Sequence, residues 1–232
     1  IMKAFNQESF SHQGKHYTLP PEVPYRGYSL KELTLVPQPA HLPVEVWQPI
    51  VSGSQRGLDF MAKWGIKGVI LGTGAEYVDD WVHRYQEANA RHHRDLKLGE
   101  NLAIGLWCYV DDSGEQARKA LEPIFEEHVK FAAPLGMLRY SDEQMQATGP
   151  GGAARHIAAG SNFQEVIEKR AWFAGSPEET IAYLKEMEEK YPGLENVMLA
   201  FPMGATTQQF REQMTRFARE VMPAFRQERV GV

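Results

Sequence analysis

The chain has 232 residues, 43% hydrophobic and 24% charged, with a formal net charge of -5, a balance that excludes disordered or fibrous chains and suits one sizeable folded domain. Its lysines and arginines are scattered rather than massed, which argues against a nucleic acid or an anionic membrane as partner. One cysteine, Cys108, excludes an intramolecular disulfide, and the absence of a signal peptide or a bilayer-spanning apolar run agrees with a reducing cytoplasm.

Ile1 to Phe5 reads as the last turn of an amphipathic helix whose beginning is absent, and the expectation from it is that the chain is a fragment. Ser11 to Pro43 is rich in proline and tyrosine, with strand-like pieces only as short as Leu33–Val36, and reads as a surface excursion. Val44–Val51 is the first strand. It runs into Ser52-Gly53-Ser54-Gln55 and a short helix with Leu58, Met61 and Ala62 inward. The unit then repeats, with strand Lys67–Leu71, turn Gly72-Thr73-Gly74, and a helix from Glu76 to about His92 that buries Val78, Trp81, Val82 and Tyr85. Leu102–Val110 is the third strand. Ser113 and Gln116 form a capping box before a helix through Ala117, Leu121, Ile124 and Phe125, which Pro123 should bend or break. Residues 131–169 read as a lid-like insertion within a single domain spanning 1–232. Ser176-Pro177-Glu178-Glu179 is a second capping box with proline at the first helical position, opening a helix with Ile181, Leu184 and Met187 inward that stops at Tyr191-Pro192-Gly193. Val197–Phe201 is apolar without alternation, the pattern of a parallel strand covered on both faces. Thr206 or Thr207 then starts a helix whose stripe is Phe210, Met214, Phe217 and Val221.

Strands alternating with helices imply right-handed crossovers and a parallel sheet. The run from Phe173 to Ile181, the strand after it, and the helix closing in Val221-Met222-Pro223-Ala224-Phe225 resemble the C-terminal end of the luciferase-like flavin-dependent monooxygenases. Phe10 to Tyr17 resembles the segment after that family's fourth helix, and Val44 to Gly65 its fifth strand and following helix, with about Lys130 to Lys169 matching poorly. The resemblance implies an α/β fold of the (β/α)8 TIM-barrel type, of which only the C-terminal half, strands five to eight, is present. An open α/β sheet is the alternative on the strand count alone.

Ser52, Gly53, Ser54 and Gln55 sit where a strand ends and a helix begins, a place where unpaired amides and the helix dipole favour a phosphate. Small residues there are also ordinary turn and cap chemistry. The resemblance implies that this turn contacts the flavin phosphate, although some family members carry an acidic residue and a threonine where this chain has Gly53 and Gly57. Gly72-Thr73-Gly74 is the equivalent turn one unit later. Trp47, Leu71, Gly72, Trp107 and Phe201 are candidate pocket walls, or core, and Arg155 and His156 in the insertion are candidates for touching substrate. Sulfonate-oxidising relatives place an arginine and a histidine where this chain has Gly105 and Trp107, so the departure implies an apolar substrate. The histidines lack metal-ligand spacing, Cys108 reads as packing, and no catalytic triad or paired acid stands out. The resemblance accounts for that: it implies reduced FMN, supplied by a flavin reductase, acting with O2 on a small substrate in a homo-oligomer, with the flavin carrying the chemistry. F420-dependent hydride transfer and a non-catalytic flavin-binding relative are the alternatives.

Overall fold

A computed structural model of the chain describes residues 1–51, 53–71, 74–135, 162–200 and 202–226. Its contacts fall into two units, Ile1–Val46 and Trp47–Val232. The first contains helix α1 (Met2–Asn6) and two antiparallel hairpins, β1 (His12–Gln13) with β2 (Thr18–Leu19) and β3 (Pro24–Tyr25) with β4 (Tyr28–Ser29). Arg26 and Gly27, at φ 51° and 86°, close the second hairpin, as a two-residue turn of the favoured twist requires. The strand-like piece Leu33–Val36 contributes only Leu33, in an isolated bridge to Phe10.

The second unit is a parallel sheet with helices. In chain order it runs β5 (Trp47–Pro49), α2 (Gln55–Trp64), β6 (Lys67–Leu71), α3 (Ala75–Arg91), β7 (Leu102–Val110), α4 (Gly114–Ala132), α5 (Phe163–Glu168), β8 (Trp172–Gly175), α6 (Pro177–Lys190), β9 (Asn196–Ala200) and α7 (Thr207–Arg216). A π turn, Phe217–Val221, and a 3-10 turn, Met222–Phe225, follow. β5, β6, β7 and β9 are the four expected strands, and all lie in one sheet. The fifth strand, β8, was not expected. Ala103–Gly105 of β7 pair with both β6 and β9, so these flank β7, while Trp107 pairs with both Trp172 and Ala200. β8 therefore continues along the β6 side of β7 from the level where β6 stops.

The caps behave as their local chemistry dictates. Ser176 and Glu179 form the reciprocal box, Thr206 caps α7 with Gln209, and the Ser113 side chain accepts from the Gln116 amide. Pro123 does not break α4. It lies on the exposed side, where the helix carbonyl it strands can bind water. β9 departs from the expected double coverage: Val197 and Met198 are 41% and 38% exposed. Among the described residues β9 pairs only with β7, so its other edge is open.

The sheet has two distinct faces. Ile104 and Leu106 lie under α3 and α6, and Cys108 and Val110 lie under α7. On the opposite face Leu71 Cδ1 and Met198 Cε converge over Gly105, the latter 3.1 Å from where a Cβ would lie, so a side chain of any size would displace them. Further along that same face α4 packs Leu121, Ile124 and Phe125 against Tyr109, Trp172 and Ala174. α4 is thus not the return helix of the third strand. That place belongs to α6.

Candidate functional site

Among the strand-to-helix turns at the C-terminal ends of the strands, those after β5 and β6 differ in chemistry. At the first, Gly53 has φ 54°, a left-handed conformation that glycine adopts without strain. A Cβ there would collide with the indole of Trp81, a buried α3 residue. Ser54 is the N-cap of α2: its hydroxyl accepts from the Gly57 amide at 3.4 Å and its carbonyl from Leu58 at 3.0 Å. The amides of Gln55 and Arg56 precede the first helical hydrogen bond and have no acceptor within the helix. The Gln55 side chain is turned along α2 to donate to Asp59 at 3.0 Å, which leaves only its backbone toward the turn. No acidic residue lies in the first turn of α2, and Arg56 is exposed there. Val51, Gly53, Ser54, Gly57 and Leu58 line a shallow cavity of about 200 Å³.

The second turn is already occupied. The carbonyl of Lys169, at the end of α5, accepts from the first amide of α3, Ala75, at 2.9 Å. Glu76 adds a negative charge in the same turn of helix. The start of α2 offers an anion amides and the positive end of a helix dipole, with an exposed arginine in the same turn, whereas the start of α3 presents a carbonyl oxygen and a carboxylate.

Of the candidate wall residues, Leu71 and Trp107 share the face that holds Gly105, with Leu71 level with Gly105 and Trp107 two residues further along β7. Trp107 stacks on Trp172 with ring centroids 5.4 Å apart and meets His128 of α4 at 4.9 Å. Trp47 is not brought to them. It pairs with Lys67, the first residue of β6, roughly 13 Å along the sheet from Leu71 at ~3.3 Å per residue, and Lys67 Nζ lies 5.3 Å from its ring centroid. Ser52, Gly72, Arg155, His156 and Phe201 lie outside the described residues, as does most of the 131–169 insertion.

Burial decides the protonation state of two groups nearby. The Cys108 thiol is pushed up to about 12 by desolvation, so at neutral pH it is an uncharged packing group rather than a nucleophile. Burial lowers the His128 pKa below its usual value and keeps the ring neutral. Among the described residues no group of three or more His, Cys, Asp or Glu side chains has metal-binding geometry, and no helix is long and apolar enough to cross a membrane. Arg56 escaped the sequence reading although its position, two after a capping serine, was a visible signal. Trp81 beneath Gly53 and His128 beside Trp107 had none, because each contact joins distant parts of the chain.

The family model described as luciferase-like monooxygenase matches residues 1–192. No curated protein matches the chain. Among solved structures, a monooxygenase from Streptomyces bottropensis aligns with a TM-score of 0.62 at 14% identity, covering 97% of this chain and 58% of that one. The oxygenating constituent of 3,6-diketocamphane monooxygenase from Pseudomonas putida, solved in complex with FMN, aligns with a TM-score of 0.63 at 15% identity, covering 96% and 60%. An F420-dependent secondary alcohol dehydrogenase, in complex with an F420-acetone adduct, aligns at 0.60 and 14% identity, covering 97% and 58%. Identities this low establish the fold alone. The chain spans less than two thirds of each of these relatives, so its sheet is part of a barrel.

Proposed function

The chain belongs to the luciferase-like monooxygenase family, and from that premise we propose that it forms the phosphate-binding half of a flavin-dependent monooxygenase acting on a small, largely apolar substrate. The single observation that carries this reading is the contrast between the two turns. Of these two, the turn at Gly53 leaves amides and an exposed arginine for an anion, whereas at the start of α3 the Ala75 amide is taken by the Lys169 carbonyl and Glu76 adds a negative charge.

In this reading the backbone of Gly53, Ser54 and Gln55, together with Arg56, holds the FMN phosphate, and Trp81 keeps the turn in shape from beneath. Bound in its reduced form, delivered by a separate reductase, the flavin supplies the electrons for oxygen insertion. The protein residues bind, orient and exclude water. Leu71 and Met198 fill the space over Gly105 with hydrocarbon and Trp107 continues that surface, which disfavours a sulfonate or other anion. The dehydrogenase neighbour favours F420-dependent hydride transfer as a second reading. Oxygen consumption separates the two, because hydride transfer proceeds without it.

The test is an FMN titration of the full polypeptide and two variants. Arg56→Glu should weaken FMN binding about tenfold, since a charge at a helix N-terminus contributes up to ~2 kcal/mol, while riboflavin binding stays unchanged. Glu76→Gln, at the closed turn, should leave both affinities as they were. Equal loss of FMN and riboflavin in the Arg56 variant, or tighter FMN binding in the Glu76 variant, contradicts the assignment.

A further inference from the structure

The aromatic cluster under α4 holds a polar group that packing alone does not explain. His128 is 4% exposed, with ring centroids 4.9 Å from Trp107 and 5.2 Å from Trp172. Its Nδ1 is buried and has no hydrogen-bond partner among the described residues. Native proteins pair nearly all such atoms, because an unpaired one keeps its desolvation penalty with nothing in return. A leucine would fill the same space without that penalty. Of the three rings only that of Trp107 belongs to a partly exposed residue, His128 and Trp172 being buried. That indole lies on the face where Leu71 and Met198 converge, toward the C-terminal ends of the strands.

We propose that His128 is the polar anchor of the substrate pocket: its Nδ1 pairs with the single oxygen of an uncharged, otherwise apolar ligand that displaces the Trp107 indole. The proposal rests on the reading of this face as the substrate side. The neutral ring offers one donor and one acceptor, so an Nδ1 that carries the proton donates to a carbonyl or hydroxyl oxygen, whereas an unprotonated Nδ1 accepts only from a hydroxyl. The apolar walls exclude a charged head group.

Tryptophan fluorescence titrations of the full polypeptide with cyclohexanone, cyclohexanol, cyclohexane and cyclohexanecarboxylate test this without turnover. In the natural protein cyclohexanone or cyclohexanol should bind about tenfold more tightly than cyclohexane, the range of one neutral hydrogen bond. His128→Leu should abolish that preference while thermal stability is kept or raised, and His128→Gln should restore part of it. A preference that survives in the leucine variant, the absence of any preference in the natural protein, or tightest binding of the carboxylate overturns the proposal. So does failure of the leucine variant to fold, since an unpaired nitrogen cannot be what the core requires. FMN titration of the same samples keeps the two ideas apart. Normal FMN affinity with unchanged probe binding sinks the role of His128 alone, and a natural protein that binds no FMN sinks the functional reading instead.

Discussion

Gly53 is the residue on which the phosphate site turns, for two separate reasons. Its φ of 54° disfavours any side chain, and the Trp81 indole occupies the space a Cβ would need, with Cε2 3.0 Å away in addition to closer ring atoms. Gly53→Ala should therefore destabilise the protein by about 1–3 kcal/mol through backbone strain and displaced packing, read as a lower denaturation midpoint. It should also weaken FMN binding, because the amides of Ser54 and Gln55 move with the turn. A variant as stable as the natural protein would mean that the turn is not held against Trp81. Gly53 and Ser54 were legible in the sequence because glycine turns and serine caps are local chemistry. His128 was not: its aromatic neighbours sit 21 and 44 positions away in sequence, and only folding makes it conspicuous.

Among the helices α2–α7, α7 alone has no buried residue. Polar contacts add to the partly exposed apolar contacts of Phe210 and Met214 that dock it. The Gln213 side chain accepts from the Val110 amide at 2.8 Å and donates to the Val110 carbonyl at 3.0 Å, taking the place of a neighbouring strand just past the point where β9 ends. Arg216 then pairs with Asp111 at 2.9 Å and with Asp112. Gln213→Leu leaves both backbone groups of Val110 without partners. It should cost about 1–3 kcal/mol and speed amide exchange at Val110, and unchanged exchange there would show that the glutamine is not the clamp. Capping boxes announced α4 and α6 in the sequence because a cap and its partner lie three residues apart. β8 stayed hidden. Trp172-Phe173-Ala174-Gly175 is too short for a periodicity, and its partner, the second half of β7, is more than 60 residues away. The siting of α4 on the pocket-side face was equally illegible, since its apolar stripe fits either face of a sheet.

For the whole molecule, the order β5, β6, β7, β9 with all strands parallel is the arc of a barrel, and it presents every C-terminal strand end on one rim. The alternation of strands and helices made that arc legible. Its open flanks were less so: Val197 belongs to an apolar run that reads as covered on both faces, yet it is 41% exposed, because burial depends on neighbours that a run of sequence does not name. The central claim is that this rim receives the anionic end of a flavin at the first turn and not the second. Amide hydrogen exchange of the full polypeptide, recorded with FMN, with riboflavin and with neither, tests it most directly. The account predicts slowed exchange across residues 53–57 with FMN but not with riboflavin. Slowing across 74–78 instead, or no difference between the two flavins, would contradict it.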